Sequence, residues 1–139
     1  MTAEKSGSGL AALTDAHLLL LGAVRAAAAA PAPVGAAALC DTIRQHLTAE
    51  DDVFWPLLER RAGAAVELSG LLDDHLALYE LLERVEADPR PANLAELREL
   101  LEEHVAEEER VVFPAASCYL SAAEIERVAA ALRPGRGAR

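Results

Sequence analysis

Apolar residues recur along this chain at alternating steps of three and four. One stripe runs Leu39, Ile43, His46, Glu50, Val53, Leu57 and another Leu94, Leu97, Leu101, His104, Glu108, Val111. A third reads Leu68, Leu72, His75, Tyr79, Leu82, and a fourth Leu10, Leu13, His17, Leu20 or Leu21, Val24. Such spacing keeps side chains on one face of a helix, so each stripe predicts an amphipathic helix with an inward seam. Breakers separate the four: Pro31-Ala32-Pro33, Arg61-Ala62-Gly63 and Asp88-Pro89-Arg90-Pro91. The predicted helices run from Leu10 or Thr14 to Ala29, Val34 to Arg61, Ala64 to Glu86, and Ala92 to Ala115. Pro56 should kink the second, because proline removes a backbone donor. A short fifth helix follows Ser121, whose Ser-Ala-Ala-Glu124 reads as a capping box. Residues 1–9, rich in Gly and Ser, and 134–139 read as tails around a folded body of residues 10–133. The expected fold is all-α: an up-down-up-down four-helix bundle with a short C-terminal helix.

Composition narrows the classes of function. The 139 residues are enough for one domain with its own core. Apolar residues make up 53 % but aromatics only 4 %, and Ala, Leu, Glu and Arg favour helix over sheet. A formal charge of −10 repels phosphate and excludes nucleic acid as the expected partner. Cys40 and Cys118 form no C-x-x-C and no disulfide framework, and read as two small apolar residues. The apolar run Leu18–Val24 is short for a signal core, with Asp15 and His17 before it and Arg25 after it. The chain holds no uninterrupted apolar stretch of the roughly 20 residues a membrane span needs. A cytoplasmic protein without a membrane partner is expected, its oligomeric state left open.

The chemistry lies in a repeat. His46-Leu-Thr-Ala-Glu50 leads to Pro56, and His104-Val-Ala-Glu-Glu108 leads to Pro114, each proline ten residues after its histidine. Residues four apart stack on one helix face, so each copy aims an imidazole and a carboxylate at one point. The four histidines, His17, His46, His75 and His104, follow one another at intervals of 29. The midpoints between neighbours fall at 31.5, 60.5 and 89.5, at or beside the breakers. In an up-down bundle this places all four in one layer. Glu50 and Glu108 share the seams that Leu or Val fills elsewhere, whereas Glu102, Glu103, Glu107, Glu109, Asp51 and Asp52 read as a solvated face. Burying a carboxylate costs several kcal/mol even after relaxation, and a metal cluster supplies the missing positive charge.

His17, the two H-x-x-x-E-x-x-x-x-x-P segments and His75 together resemble the hemerythrin-like (HHE cation-binding) family, from about Leu13 to Pro114. The family's up-down bundle is a known topology. The resemblance implies a di-iron centre with an oxo or hydroxo bridge, His17 and His46 on one iron, His75 and His104 on the other, and Glu50 and Glu108 as bridging carboxylates. Mixed imidazole and carboxylate donors suit iron. Where hemerythrins carry a further histidine, four residues after His75, this chain has Tyr79, whose phenolate is expected to ligate and to favour ferric iron. A shift of 58 residues pairs Tyr79 with Leu21. The implied ligands are small molecules: hydrogen peroxide, dioxygen or nitric oxide. With no flavin, iron–sulfur or dithiol motif to deliver electrons, catalase-like peroxide decomposition is the first expectation. The alternative is dioxygen or nitric oxide binding and sensing without turnover.

Overall fold

The computed structural model describes residues 2–30 and 35–133, with side chains from residue 9 onward. All regular structure among the described residues is helical, with no strand. Helix α1 spans Thr2–Ala29. Helix α2 (Ala36–Ala49) passes through a π turn, Glu50–Phe54, into α3 (Trp55–Ala62). Helix α4 covers Ser69–Ala87. Helix α5 (Pro91–Glu107) passes through a second π turn, Glu108–Val112, into α6 (Phe113–Tyr119), and α7 covers Ala122–Leu132.

Local chemistry sets most of these ends. Gly63 closes α3 at φ 55°, in the positive-φ region that glycine enters without steric cost. Pro91 opens α5 from its first turn, where a missing N–H costs nothing. Ser121 accepts from the Glu124 backbone N–H while the Glu124 side chain accepts from the Ser121 N–H, the expected capping box. The Pro31–Pro33 breaker and the 134–139 tail lie outside the described residues.

Two boundaries differ from expectation. Helix α4 begins at Ser69 rather than Ala64, because Gly63–Ala65 forms a 3-10 turn and Val66 is extended. Helix α1 begins at Thr2, so the segment expected as a tail forms its first turns. Gly9 shows one use for small residues there. A Cβ at this position would stand 2.5 Å from Ile125 Cγ2, so only glycine lets α1 approach α7 this closely.

Helices α1, α2, α4 and α5 touch in a closed ring, α1 on α2, α2 on α4, α4 on α5 and α5 on α1. Neighbours run antiparallel. Arg25 meets Glu102 across α1 and α5 and His17 meets Glu109 in the π turn that continues α5, while Arg84 meets Glu96 and His75 meets His104 across α4 and α5. This is the up-down-up-down bundle. Helix α7 lies against α1 and α2, and Arg61 Nε donates to Glu124 Oε2 at 2.8 Å, tying the end of α3 to the start of α7. The stretch Gly9–Ala29 is long and apolar enough to cross a membrane, and one face of it, with Leu13, Leu20 and Val24, is buried in the bundle.

The apolar interior forms two blocks. One gathers Leu13, Phe54, Leu58, Leu71, Val112 and Ile125; the other gathers Leu20, Ile43, Leu78, Leu82, Leu97 and Leu101. His17 lies between Leu13 and Leu20 on its helix, and His75 between Leu71 and Leu78. A single polar layer therefore divides the core.

Candidate metal centre

Four helical rods supply the layer. His17 comes from α1, His46 from α2, His75 from α4 and His104 from α5, and Glu50 and Glu108 open the two π turns. All six are buried, from 0 % exposed for His17, Glu50 and Glu108 to 5 % for His46. In each π turn a backbone N–H reaches back five residues, Trp55 to the Glu50 carbonyl and Phe113 to the Glu108 carbonyl. The cause is the repeated proline. Pro56 and Pro114 donate no hydrogen bond, and their rings crowd the carbonyls of Asp52 and Arg110, so the helix widens ahead of them. The extra residue advances the core register. Phe54 and Val112 are fully buried where the stripes predicted Val53 and Val111.

Each carboxylate offers one oxygen to each histidine pair. Glu50 Oε2 stands 3.2 Å from His46 Nε2 and 4.0 Å from His17 Nε2. Its Oε1 stands 2.9 Å from His75 Nε2 and 3.5 Å from His104 Nε2. Glu108 Oε1 is 2.8 Å from His17 Nε2, and Oε2 is 2.8 Å from His104 Nε2. Two groups result, His17–His46–Glu50–Glu108 and His75–His104–Glu50–Glu108, each with donor atoms within 4.8 Å of one another.

The donor atoms suit a cation better than they suit each other. His17 Nε2 and both oxygens of Glu108 are buried with no hydrogen-bond partner despite their short contacts. Buried polar atoms are rarely left so. His75 Nε2 faces His104 Nε2 at 3.0 Å and the Glu50 carboxylate at 2.9 Å. Its Nδ1 meets Asp51 Oδ1 at 2.8 Å. If that contact takes the proton of the neutral ring, Nε2 turns a lone pair towards other lone pairs, an arrangement that a cation resolves.

Protons fill part of this role in the metal-free chain. Burial works against charge on His17, but the carboxylates of Glu108 and Glu50 beside its Nε2 outweigh it and push its pKa up to about 10. The same balance raises His104 to about 11. Burial would raise Glu50, yet the His46 charge and the His104, His17 and His46 rings gathered around it hold its carboxyl well below the usual range.

Tyr79 lies on the outer side of the layer. Its hydroxyl donates to Asp51 Oδ2 at 2.9 Å, on the Nδ1 side of His75, and burial pushes its pKa up to about 12. The choice of seam explains this. Steps of three and four allow either Leu72 and Tyr79 or Leu71 and Leu78 to flank His75. The structure buries Leu71 and Leu78, at 4 % and 0 %, and leaves Leu72 41 % exposed. Tyr79 is thereby turned to the rim.

Three acidic residues were not read as part of the site. Asp51 bonds His75, Glu109 Oε2 meets His17 Nδ1 at 2.9 Å, and Asp74 Oδ2 stands 3.5 Å from His104 Nδ1. Asp51 and Glu109 are related by the same shift of 58 residues as His46 and His104, so each repeat reads H-x-x-x-E followed at once by an acid. That echo was the available signal. Glu102 keeps its surface role, paired with Arg25 at 2.6 Å, and Glu107 pairs with Arg110. Cys40 is buried in the core, whereas Cys118 is exposed rather than part of an apolar interior.

Two cavities reach the ends of the layer. One of about 440 Å³ touches His46 with Ala16, Leu20, Thr42 and Gln45; the other, about 350 Å³, touches His75 with Trp55, Leu72, Leu76 and Tyr79. A family model for the hemerythrin HHE cation binding domain matches residues 9–116. No curated protein and no solved structure matches the chain.

Proposed function

The chain belongs to the hemerythrin HHE cation-binding family, and on that premise we propose that it holds two iron ions and decomposes hydrogen peroxide. His17 and His46 would hold one iron, His75 and His104 the other, with Glu50 and Glu108 shared between them. The observation that carries this reading is the sharing itself: both carboxylates belong to both donor groups. A structural zinc site is closed by four ligands of its own and has no use for two common carboxylates. Bound iron would supply two-electron redox chemistry, one peroxide oxidised to dioxygen and another reduced to two waters, without an external reductant.

The chain's residues fit that chemistry in three ways. The apolar blocks on both sides of the layer limit water to the cavities, which end at His46 and His75. Asp51 and Glu109 accept from the outer nitrogens of His75 and His17 and keep the inner nitrogens free to ligate. With two imidazoles and two shared carboxylates on each side, neither iron would be saturated by the protein.

One observation favours a second reading, dioxygen or nitric oxide binding without turnover. The Tyr79 hydroxyl donates to Asp51 Oδ2 at 2.9 Å, which supports a phenol that adds no negative charge to the centre. The ferrous state is then not disfavoured by a phenolate. The test is an iron count followed by peroxide addition. Peroxide decomposition predicts about two irons per chain and steady dioxygen evolution, abolished by chelation. Two irons without dioxygen evolution, but with a reversible spectral change on exposing ferrous protein to dioxygen or nitric oxide, would establish the second reading instead.

A further inference from the structure

The two histidine pairs are built alike on the inside and unlike on the outside. Behind His75, Asp51 Oδ1 contacts Nδ1 at 2.8 Å, and the other oxygen of Asp51 accepts from the Tyr79 hydroxyl at 2.9 Å. Both carboxylate oxygens are engaged, so Asp51 has little freedom to turn. Its partner across the repeat, Glu109, contacts His17 Nδ1 at 2.9 Å, but the side chain is 40 % exposed and makes no further hydrogen bond among the described residues. The position related to Tyr79 by the shift of 58 is Leu21, which has no hydroxyl to offer. The remaining pair differs in the same direction. His104 has the Asp74 carboxylate 3.5 Å from its Nδ1, a charge contact without a hydrogen bond, whereas no carboxylate other than Glu50 lies within 4.0 Å of His46 among the described residues. His46 also lines the larger cavity.

Outer hydrogen bonds fix the tautomer and the direction of a ligating ring, and losing one costs about 10–100-fold in metal affinity. From this asymmetry we infer that the His75–His104 half is the tight metal site and the His17–His46 half the labile one. Tyr79 acts as a positioning residue for the tight half. It holds Asp51, Asp51 holds the His75 ring, and the ring keeps Nε2 aimed at the centre. The metal fills the His75–His104 half first and leaves it last. The inference rests on the two-metal reading above, and stoichiometry separates the two: the reading concerns how many ions bind, the inference in which order.

The experiment is an anaerobic titration of the metal-free full chain with ferrous iron alone, for the native protein, Tyr79→Phe and Glu109→Gln. Native protein takes up two ions in two resolved steps. Tyr79→Phe, which keeps the ring and removes only the hydroxyl, weakens the first step about 10-fold and leaves the second unchanged. Glu109→Gln weakens the second step and leaves the first. In the metal-free protein, nitrogen-15 imidazole spectra show the His75 Nδ1–H bond loosened by Tyr79→Phe, with His17 unaltered. That readout needs no metal. Two ions bound in one unresolved step, or a Tyr79→Phe effect confined to the second step, overturns the ordering while leaving the two-metal reading intact. A limit of one ion per chain overturns the two-metal reading and the ordering with it.

Discussion

Glu50 and Glu108 lie where an isolated carboxylate is costly, fully buried between two apolar blocks. What offsets that cost in the metal-free chain is the imidazole charge around them, and in the loaded chain the metal. Either substitution His46→Ala or Glu108→Ala removes a donor with no neighbour on the same face to replace it. Each is expected to lose at least one iron per chain, read by metal analysis against protein concentration. Unchanged iron in both variants would refute the ligand assignment. At this scale the structure brings together the six residues that the sequence singles out on its seams. The four histidines and two glutamates were legible because seam positions are apolar by rule, so each exception announces itself. Asp51 and Glu109 were not, because an acid beside an acid on a helix in a chain of net charge −10 looks like solvated surface. Only contacts from α4 and α1 distinguish them.

Between residue and molecule, the helices show what periodicity can and cannot fix. The stripes located all four rods and the histidine on each inward face. They missed the one-residue advance at each π turn, because a stripe of threes and fours does not reveal a widened turn, although the proline at the same place in both repeats was its cause. They set the α4 seam on Leu72 and Tyr79, but packing buries Leu71 and Leu78, which the same steps also allow, and turns Tyr79 outward. Helix α7 depends on a contact that no periodicity shows, the approach of Gly9 to Ile125. A methyl group at residue 9 would overlap Ile125 Cγ2, on a β-branched side chain with little rotamer freedom. Gly9→Ala is therefore expected to destabilise the protein by about 1–3 kcal/mol, despite alanine's better helix propensity. Denaturant unfolding measures it. In a double-mutant cycle with Ile125→Ala the two losses should be less than additive, since the smaller residue removes the overlap. Full additivity would mean that α1 and α7 do not meet as described.

Across the whole molecule, the layer links fold stability, protons and metal. His17 and His104 titrate at about 10 and about 11 in the folded metal-free protein, against about 6.5 when unfolded. A raised pKa means that the folded state binds the proton more tightly. The resulting stabilisation is complete below about pH 6.5 and is lost as pH rises through about 10–11. Glu50, held below its usual range, contributes the opposite dependence, present above its unfolded pKa of about 4.5 and lost on acidification. Stability of the metal-free chain from these groups should therefore peak between about pH 4.5 and 6.5 and decline towards alkaline pH. Loading metal reverses the alkaline side, because the ion must displace the His17 and His104 protons. Each displaced proton makes apparent affinity rise about tenfold per pH unit over the window in which the folded histidine is protonated. The increase in Tm on adding ferrous iron under anaerobic conditions should thus be small near pH 5 and grow steadily to about pH 8, at fixed metal concentration. Thermal unfolding of matched metal-free and loaded samples across that range measures it. An increment that is flat or falls with pH would show that the buried imidazoles do not give up protons to the metal.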